Sequence, residues 1–396
     1  MTTRTSLLRL LTRVFAAAAV LLVLPYGWAP VYRFEETAPF SGAHLFNPYA
    51  TLVGRWQRAN LHAHGRAWSG LTNGRQPVEQ VVRRYRDLGY DVPGVSNYQQ
   101  IAKLDGGATL PIYEHGFNIG KHHQLAIGAR RVSWFEFPLW QSTSQQQYVI
   151  DRVGETSDLV ALAHPDSRYA YSVENLRRLT GYQLIEVGNG PFASDASWDT
   201  VLSSGHPVWG LANDDTHDLE DPRRTAAAWN MIDAASAAPS DIVAALRAGR
   251  SYAVLRTGAI DAANITTLTG VEVRNQTMTV TCAGARSTIT FFGQNGAVRQ
   301  TVKDTAAAAY TFSEADTYVR AVIESPQTVL YLNPVIRYSG SGLSTPAATL
   351  DLATTWASRV GFTLGCAALG VVYTRRRRPL DARPTTVLAD VKRKPA

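Results

Sequence analysis

The chain has little cysteine and lacks the short motifs of several large enzyme classes. Only two Cys occur among its 396 residues, which excludes a disulfide framework and a four-thiolate metal site. No G-x-S-x-G elbow is present, so a serine hydrolase is not expected. No G-x-x-x-x-G-K-S/T loop occurs either, which argues against an enzyme of nucleoside triphosphates.

The net charge of the chain is +7, but the excess of positive charge lies at its two ends and not in its central part. Residues 1–33 carry four Arg and no acidic residue, and residues 374–396 carry eight Lys or Arg against two Asp. Subtracting those ten charges from seven leaves −3 for residues 34–373. The body of the protein is mildly acidic, so we expect no nucleic-acid binding.

Charge is absent from the nineteen residues between Arg13 and Arg33, close to the length that crosses a bilayer. Pro25 and Pro30 shorten the helix that this run predicts, so a cleaved signal peptide stays open beside a membrane span or signal anchor.

A second apolar run, residues 353–374, ends in four consecutive arginines and predicts a transmembrane helix. Arg359 lies near its outer end, where a long side chain can reach the interface. Because cytoplasmic segments collect Lys and Arg, we expect both termini in the cytoplasm and residues 34–350 outside it, in the periplasm or at the cell surface.

Residues 55–250 alternate between short β-prone runs and amphipathic runs, which predicts parallel β/α units. The predicted strands are residues 56–64, 90–96, 110–115, 123–129, 159–164, 182–189 and 207–214, with a further candidate at 131–137. The predicted helices are residues 77–89, 145–155, 173–179, 196–205 and 240–249. About seven such units, with no glycine-rich dinucleotide fingerprint, favour an α/β barrel over an open doubly wound sheet.

The texture changes after Tyr252, where alternating β-prone runs separated by turn signals predict a small antiparallel β-sandwich. The predicted organisation is an N-terminal span or signal anchor at residues 1–33, a barrel at 34–255, a sandwich at 256–340, a linker at 341–352, a transmembrane helix at 353–374 and a basic cytoplasmic tail at 375–396.

Histidines and carboxylates mark the ends of the predicted strands. His62 and His64 stand two residues apart, so on a strand both imidazoles point to one face and suit a single metal ion. Asp215 and His217 repeat this spacing after the last predicted strand, and His164 follows the apolar run at 159–163.

Two further residues, Glu114 and His123, end one predicted strand and begin the next. A lone His at a strand end is more often a surface or core residue than a ligand. In a parallel barrel, however, the ends of all strands meet on one face, so the whole set predicts a metal site there.

These segments resemble the PHP (polymerase and histidinol phosphatase) family of metallohydrolases over about residues 55–255. The matching runs are NLHAH (60–64), PIYEH (111–115), HHQLAIG (122–128), LVALAHP (159–165), LIEVGN (184–189) and NDDTH (213–217). The resemblance implies a distorted (β/α)7 barrel that holds divalent ions, with the attached β-domain often seen beside it.

The resemblance also implies the ligands. One ion takes His62, His64, Glu114 and Asp215, and a second shares Glu114 and takes His123 and His164. A third ion normally uses an Asp or His shortly after His-x-His, where this chain has Ser69 or Asn73. It also uses the His of a Thr-Asp-His motif and the final His, which is His217 here. This chain reads Ser96-Asn97-Tyr98 at that motif, so we expect two ions, with Zn, Mn and Fe all suited to these donors.

The function that this implies is hydrolysis of a small phosphorylated substrate, most simply a phosphoester, by a metal-bridging hydroxide. Asp215 orients the water, and His217, freed from a third ion, protonates the leaving oxygen. Two alternatives stay open: a degenerate barrel that binds a ligand or partner without turnover, and an amidase-type hydrolase of non-phosphate substrates.

Several other residues have a weaker claim. Glu136 competes with Glu114 for the bridging position, since both close a predicted strand. Glu186 either supports a ligating His or faces a helix, and Tyr98 is a proton donor or a packing aromatic. Four cations are candidates for a substrate phosphate or for solvated surface charge: Lys121, Arg168, Arg223 and Arg224. The aromatic run at 134–140 is expected to pack.

Overall fold

The computed structural model describes residues 2–104, 109–168, 170–261, 264–340 and 342–376. The helices in these ranges are α1 (Thr2–Trp28), α2 (Val78–Asp87), α3 (Thr143–Gly154), α4 (Val173–Arg178), α5 (Asp195–Ser203), α6 (Pro239–Arg247) and α7 (Leu352–Arg376). Most of the predicted basic tail, from residue 377 onward, lies outside the described residues.

The strands are short, and most have three to nine residues. They are β1 (Tyr32–Phe34), β2 (His44–Phe46), β3 (Trp56–Asn60), β4 (Val92–Pro93), β5 (Ile112–His115), β6 (Gln124–Ile127), β7 (Leu159–Leu162), β8 (Leu184–Asn189), β9 (Phe192–Ala193), β10 (Trp209–Asn213), β11 (Ala228–Asp233), β12 (Ser251–Arg256), β13 (Thr267–Arg274), β14 (Thr277–Ala283), β15 (Ser287–Gly293), β16 (Ala297–Thr305), β17 (Ala307–Thr311), β18 (Tyr318–Glu324), β19 (Thr328–Leu332), β20 (Val335–Tyr338) and β21 (Ala348–Leu350). Residues 131–137 form no strand.

The chain forms two compact units, one made of residues 30–350 and the other of the two terminal segments. In the terminal unit, residues 10–28 of α1 and 352–375 of α7 are long and apolar enough to cross a membrane, and their described side chains are almost all exposed. A signal sequence passes the same test. Arg359 of α7 donates to the Trp28 carbonyl oxygen at 3.1 Å and lies over the rings of Trp28 and Trp356.

Two large sheets build residues 30–350. The first has the strand order β10-β8-β7-β6-β5, with β9 paired to β8. The second has the order β16-β15-β18-β19-β12-β11-β3-β4, and β20 joins it to β2. A three-stranded sheet, β13-β14-β17, and the antiparallel pair β1-β21 complete the unit, and β21 lies within the predicted linker.

The helices between the strands begin and end where local chemistry predicts. Ser142 and Gln145 form a capping box at the start of α3, each side chain accepting from the other residue's backbone N–H. The chain leaves α2 through Gly89, whose φ of +78° lies in the left-handed region that favours glycine. These signals are readable from sequence, which is why the predicted helix positions agree with the structure.

The predicted (β/α)7 barrel is not observed, because the described strands form separate sheets and none closes on itself. Among the described strands, parallel pairing is limited to β3 with β4, β7 with β8 and β8 with β10, while β6 runs antiparallel to both β5 and β7. The strands β5 to β8 are buried along their whole length whatever their direction, so their apolar runs in the sequence do not distinguish parallel from antiparallel neighbours. The fold is mixed α/β.

Single bridges nevertheless join the two sheets. Ala63 pairs with Thr216 beyond the ends of β3 and β10, and Tyr98 pairs with Glu114 beside β5. The backbone N–H of His64 donates to the Thr216 carbonyl oxygen at 2.8 Å, and that of Asp215 donates to the His62 oxygen at 2.8 Å. These bridges bring the ends of the sheets together at one place.

In the region of the predicted sandwich, β13 to β20 pair antiparallel with their neighbours. Val271 and Val280 of the three-stranded sheet share one buried cluster with Phe291 and Ile323 of the ten-stranded sheet. The same ten-stranded sheet continues through the pairing of β19 with β12 into the strands that precede residue 256.

Candidate metal centre

Strand direction explains how distant residues meet. His62 and His64 follow β3, His164 follows β7, Asp215 follows β10, and Glu114 lies near the end of β5. His123 stands at the start of β6, which in a parallel barrel would be the opposite end. Because β6 is antiparallel to β5 and β7, its start lies beside their ends, and His123 joins the others.

The carboxylate of Glu114 lies at the centre, and each of its oxygens faces a different group of imidazoles. Oε2 is 3.1 Å from His64 Nε2 and 3.4 Å from His62 Nε2. Oε1 is 2.7 Å from His123 Nδ1 and 3.1 Å from His164 Nε2. This two-sided arrangement suits a carboxylate shared between two ions.

Asp215 completes the first group. Its Oδ1 lies 3.3 Å from Nε2 of both His62 and His64. Four overlapping sets of ligand atoms lie within 4.8 Å of one another: His62, His64 and Glu114; His62, His164 and Asp215; His64, Asp215 and His217; and Glu114, His123 and His164. The cluster can therefore bind metal.

Several of these atoms are buried and have no hydrogen-bond partner. They are Nε2 of His62, His64 and His217, Oε2 of Glu114 and Oδ1 of Asp215. A buried polar atom without a partner costs about 1–3 kcal/mol, so native proteins rarely leave one unpaired. These unpaired atoms lie close together in the overlapping sets of the cluster, so metal ions bound there would satisfy them together.

Glu186, on β8, holds the first ligand in the form that binds a cation. Its Oε1 is 2.8 Å from His62 Nδ1, so Nδ1 carries the proton and Nε2 keeps its lone pair toward the cluster. Its Oε2 accepts from the backbone N–H of His164, and the Asn189 and Asn213 amides also donate to this carboxylate. Glu186 supports the ligands and does not face a helix.

The buried carboxylates of the cluster are stabilised by positive charge nearby. Among the described residues, the ion-pair partners of Glu114 and Asp215 are all imidazoles. Burial by itself lowers the pKa of His62, but Asp215, Glu186 and Glu114 outweigh it and raise that pKa well above its usual value. Without a cation, protons on the imidazoles offset the buried carboxylates.

His217 differs from the other imidazoles. Its Nδ1 is 3.0 Å from the Asp215 carbonyl oxygen, which can only accept, so Nδ1 donates and Nε2 keeps a lone pair. Burial and the neighbouring His64 lower the pKa of His217 to about 4. The ring stacks on His64 with centroids 4.2 Å apart. A neutral imidazole with a free lone pair accepts a proton or binds a cation.

Tyr98 occupies the position where the resemblance expects the histidine of a Thr-Asp-His motif. Its ring stacks on His64 with centroids 4.5 Å apart. Burial and the Glu114 charge raise the pKa of Tyr98, so its hydroxyl stays protonated and donates. Asn97, the preceding residue, accepts from the Gly65 backbone N–H at 2.8 Å. Aromatic packing of Tyr98 thus replaces the one ligand that the resemblance expects from this motif.

A pocket of about 380 Å³ opens onto the cluster. Among the four candidate cations, Lys121 and Arg224 line it, whereas Arg168 and Arg223 are not among the lining residues that the structure describes. Arg224 donates to Asn189 Oδ1 at 2.8 Å and is fixed in place. Arg223 is exposed and pairs with Asp221.

Glu136 does not reach the cluster. Its two oxygens accept hydrogen bonds from the backbone N–H of Phe137 and from the amides of Asn118 and Gln141. It is a structural carboxylate of its own loop, and the competition with Glu114 is decided by tertiary position.

Asp214 is a buried residue that sequence reasoning missed. Its carboxylate accepts from Tyr85 Oη at 2.5 Å and from the backbone N–H groups of residues 226–228 at 2.7–2.8 Å. Burial raises its pKa to about 6. Asp214 fixes the backbone at the start of β11, whereas the next residue, Asp215, is a candidate metal ligand. The sequence NDDTH does not show which of the two aspartates has which role.

Two candidate ligands of the metal centre have a left-handed backbone conformation. His164 has a φ of +31° and Asp215 a φ of +47°, values that cost non-glycine residues about 1–3 kcal/mol each. Such strain persists where surrounding contacts fix it, as Glu186 does at the backbone of His164.

No model of a protein family matches the chain, and no curated protein matches it. Among solved structures, the chain is similar to a two-domain protein from Bacteroides vulgatus that contains a predicted PHP-like metal-dependent phosphoesterase. The identity is 14%, over 78% of this chain and 92% of that one, and the TM-score is 0.38. At that level of similarity, only this chain's own side chains can support a function.

Proposed function

We propose that this protein is a metal-dependent hydrolase of phosphoesters that binds two divalent ions. The observation that carries the proposal is the Glu114 carboxylate, buried completely, with a separate group of imidazoles at each oxygen. A purely structural carboxylate such as Glu136 satisfies both oxygens from the protein, and Glu114 Oε2 does not.

The donor set fits borderline metals. One group offers Nε2 of His62 and His64 with oxygens of Glu114 and Asp215, and the other offers His123, His164 and the second oxygen of Glu114. Imidazole and carboxylate suit Zn, Mn and Fe. When bound, such ions supply positive charge to phosphoryl oxygens and acidify the attacking water.

The protein's own groups do the rest. The Asp215 side chain, 16% exposed, lines the pocket and orients the attacking water. His217 takes a proton from that water through its free Nε2 and passes it to the leaving oxygen, the role expected from sequence. Lys121 and Arg224 also line the pocket and bring positive charge to the incoming phosphate, and the Tyr98 hydroxyl is a donor in the same lining.

Metal content and turnover test the proposal together. The full chain, purified in lipid nanodiscs, should contain two divalent ions per molecule by elemental analysis. It should also hydrolyse at least one member of a panel of phosphomonoesters, phosphodiesters and nucleotides. Metal without turnover of any panel member indicates the binding module, turnover of amides or carboxylic esters alone indicates the amidase-type enzyme, and absence of metal overturns both hydrolases.

We propose further that α1 and α7 anchor the protein in a membrane, with residues 30–350 outside the cytoplasm. The supporting features are the length and exposure of both helices and the arginines at residues 375–378. Protease added to intact spheroplasts should cleave residues 30–350. Cleavage only after lysis contradicts this topology.

A further inference from the structure

Large apolar side chains are exposed beside the candidate metal centre. Five of them come from three loops and are called the apolar rim here: Trp68 (40% exposed), Leu71 (90%), Phe117 (52%), Ile119 (71%) and Trp134 (59%). Single exposed apolar residues are ordinary on a protein surface, whereas a contiguous group marks a surface that binds something.

Hydrogen bonds and ring contacts tie the rim to the pocket wall. Trp68 Nε1 donates to the carbonyl oxygen of Tyr98, a pocket residue, at 2.8 Å. The rings of Trp68 and Trp134 meet edge to face with centroids 5.7 Å apart.

The third loop joins the same mouth. The backbone N–H of Ile119 donates to the Pro138 carbonyl oxygen at 2.9 Å, and Lys121, two residues later, lines the pocket. The backbone N–H of Phe117 donates to Glu136, in the loop that carries Trp134. The rim therefore borders a pocket that is polar inside.

Loop conformation keeps this rim exposed. Trp68 and Ser69 have φ values of +51° and +56°, a left-handed conformation that non-glycine residues seldom adopt. Leu71 follows directly, with its backbone N–H bonded to the Trp68 carbonyl oxygen at 3.1 Å. The strained backbone of this loop therefore accompanies the exposure of Trp68 and Leu71 to solvent.

We propose that the substrate is an amphiphile whose anionic phosphoester head enters the pocket while its apolar chain lies on the rim. This inference rests on the proposed function and names its substrate class. A wholly polar substrate would fill the pocket and leave the rim in water. A chain of apolar carbons covers it and gains contact area with Trp68 and Trp134.

The reaction balances without any further reagent. The oxygen of water bonds to phosphorus and the ester P–O bond breaks. His217 takes one proton from the water and gives it to the alcohol oxygen, and the second proton stays on the phosphate. The products are an inorganic or monoester phosphate and an apolar alcohol, which no longer has a charged head to hold it in the pocket.

A homologous series of substrates tests the inference. Ethyl, butyl and hexyl phosphate have primary alcohols of similar acidity as leaving groups, so their rates differ through the chain. For the full chain in phosphatidylcholine nanodiscs with saturating metal, kcat/KM should rise about tenfold from ethyl to hexyl phosphate, since each buried methylene gains affinity. Ethyl and hexyl phosphonate, which carry no ester to cleave, should show the same order in their dissociation constants.

The variant Leu71→Ser with Ile119→Ser should flatten that rise while leaving ethyl phosphate turnover unchanged. Both side chains are exposed, so their replacement does not disturb a core. Val298→Ser is the matched control, because Val298 is 60% exposed on β16, among residues that do not line the pocket. It should keep the full dependence on chain length.

Each other result has a definite meaning. Turnover of ethyl phosphate with no gain for hexyl phosphate overturns the amphiphile and leaves the proposed function intact. A gain that survives in the double variant does the same. If the double variant instead lowers binding of the protein to vesicles and leaves the chain-length dependence unchanged, the rim contacts a bilayer and the inference is wrong. No turnover of the alkyl phosphates by a protein that hydrolyses another member of the phosphoester panel overturns the amphiphile alone, and no turnover of either set overturns both proposals.

Discussion

Two clusters of buried charge in residues 30–350 are stabilised in opposite ways. Arg320 of β18 donates to both oxygens of Asp199 on α5, at 2.8 and 2.5 Å, and Tyr318 Oη donates to the same carboxylate at 2.8 Å. Among the described residues, the ion-pair partners of Glu114 and Asp215 are imidazoles, and one oxygen of each carboxylate has no hydrogen bond. In the first cluster the protein itself satisfies both carboxylate oxygens, and in the second it leaves oxygens that a cation could bind.

The surroundings differ in the same sense. Aromatic rings cover the guanidinium of Arg320, with Phe292 at 4.6 Å and Trp198 at 5.3 Å from its central carbon. The imidazole cluster opens onto a pocket instead. Mutations in the first cluster should therefore change stability, and mutations in the second should change metal binding and activity.

The largest effect is expected for His62→Ala combined with His64→Ala. Loss of two ligands should remove metal from the first group and lower kcat/KM by about 10³-fold or more, while the secondary structure of the protein is retained. Elemental analysis, kinetics and circular dichroism measure the three quantities. His206→Asn is the control, since this buried imidazole bonds the Arg177 carbonyl oxygen away from the cluster. Retained metal in the double variant contradicts the ligand set.

Arg320→Met should lower the free energy of unfolding by about 3–5 kcal/mol, because it leaves the buried Asp199 carboxylate without its positively charged partner. Metal content and kcat/KM of the folded protein should not change. Urea titration gives the stability, and adding Asp199→Leu should restore most of it. Arg130→Met, which breaks an exposed pair with Asp158, should cost under about 1 kcal/mol. Equal losses from both Arg variants would remove the contrast between buried and exposed pairs.

Removal of metal should destabilise the fold by a smaller amount. A ligand present at about 100 times its dissociation constant adds about 2.7 kcal/mol to stability. The urea midpoint of the parent should fall on chelation and recover when metal is returned. The midpoint of the His62→Ala and His64→Ala protein should respond less. A chelator that leaves the parent's midpoint in place indicates a cluster that holds no metal.

Glu186→Gln should have the smallest effect of the four. An amide can present NH₂ to His62 Nδ1, so the ring loses the tautomer that turns its lone pair to the cluster, and metal affinity should fall about 10–100-fold. Competition with a chromophoric chelator measures it. Glu136→Gln, in a carboxylate that its own loop satisfies, should change affinity less than about twofold.

The sequence predicted the parts of the fold that depend on local pattern. The runs at 77–89 and 145–155 coincide with α2 and α3, where Pro, Gly and a capping box mark the ends. The His-x-His spacing placed two imidazoles together because side chains two apart on an extended chain share a face. The sequence did not show the direction of each strand. The predicted (β/α)7 barrel is therefore not observed, and the strands form several sheets.

Other features depended on contacts between distant residues. Glu114 and Glu136 both follow β-prone runs, and only the three-dimensional position of His62 and His164 separates them. Asp199 and Arg320 are 121 residues apart and carry no local signal of their pairing. Trp134 of the apolar rim was expected to pack, because a run such as 134–140 reads the same whether its rings are covered or exposed.

The short antiparallel pair β1-β21 sets Tyr32 opposite Leu350, so the first and last strands of residues 30–350 run side by side. A segment whose two ends are one strand-width apart can be cut at both and closed on itself by a few added residues, or spliced into a surface loop of an unrelated host. The pairing thus makes residues 30–350 suitable for circular permutation, with new termini placed at exposed turns, and for insertion into another protein.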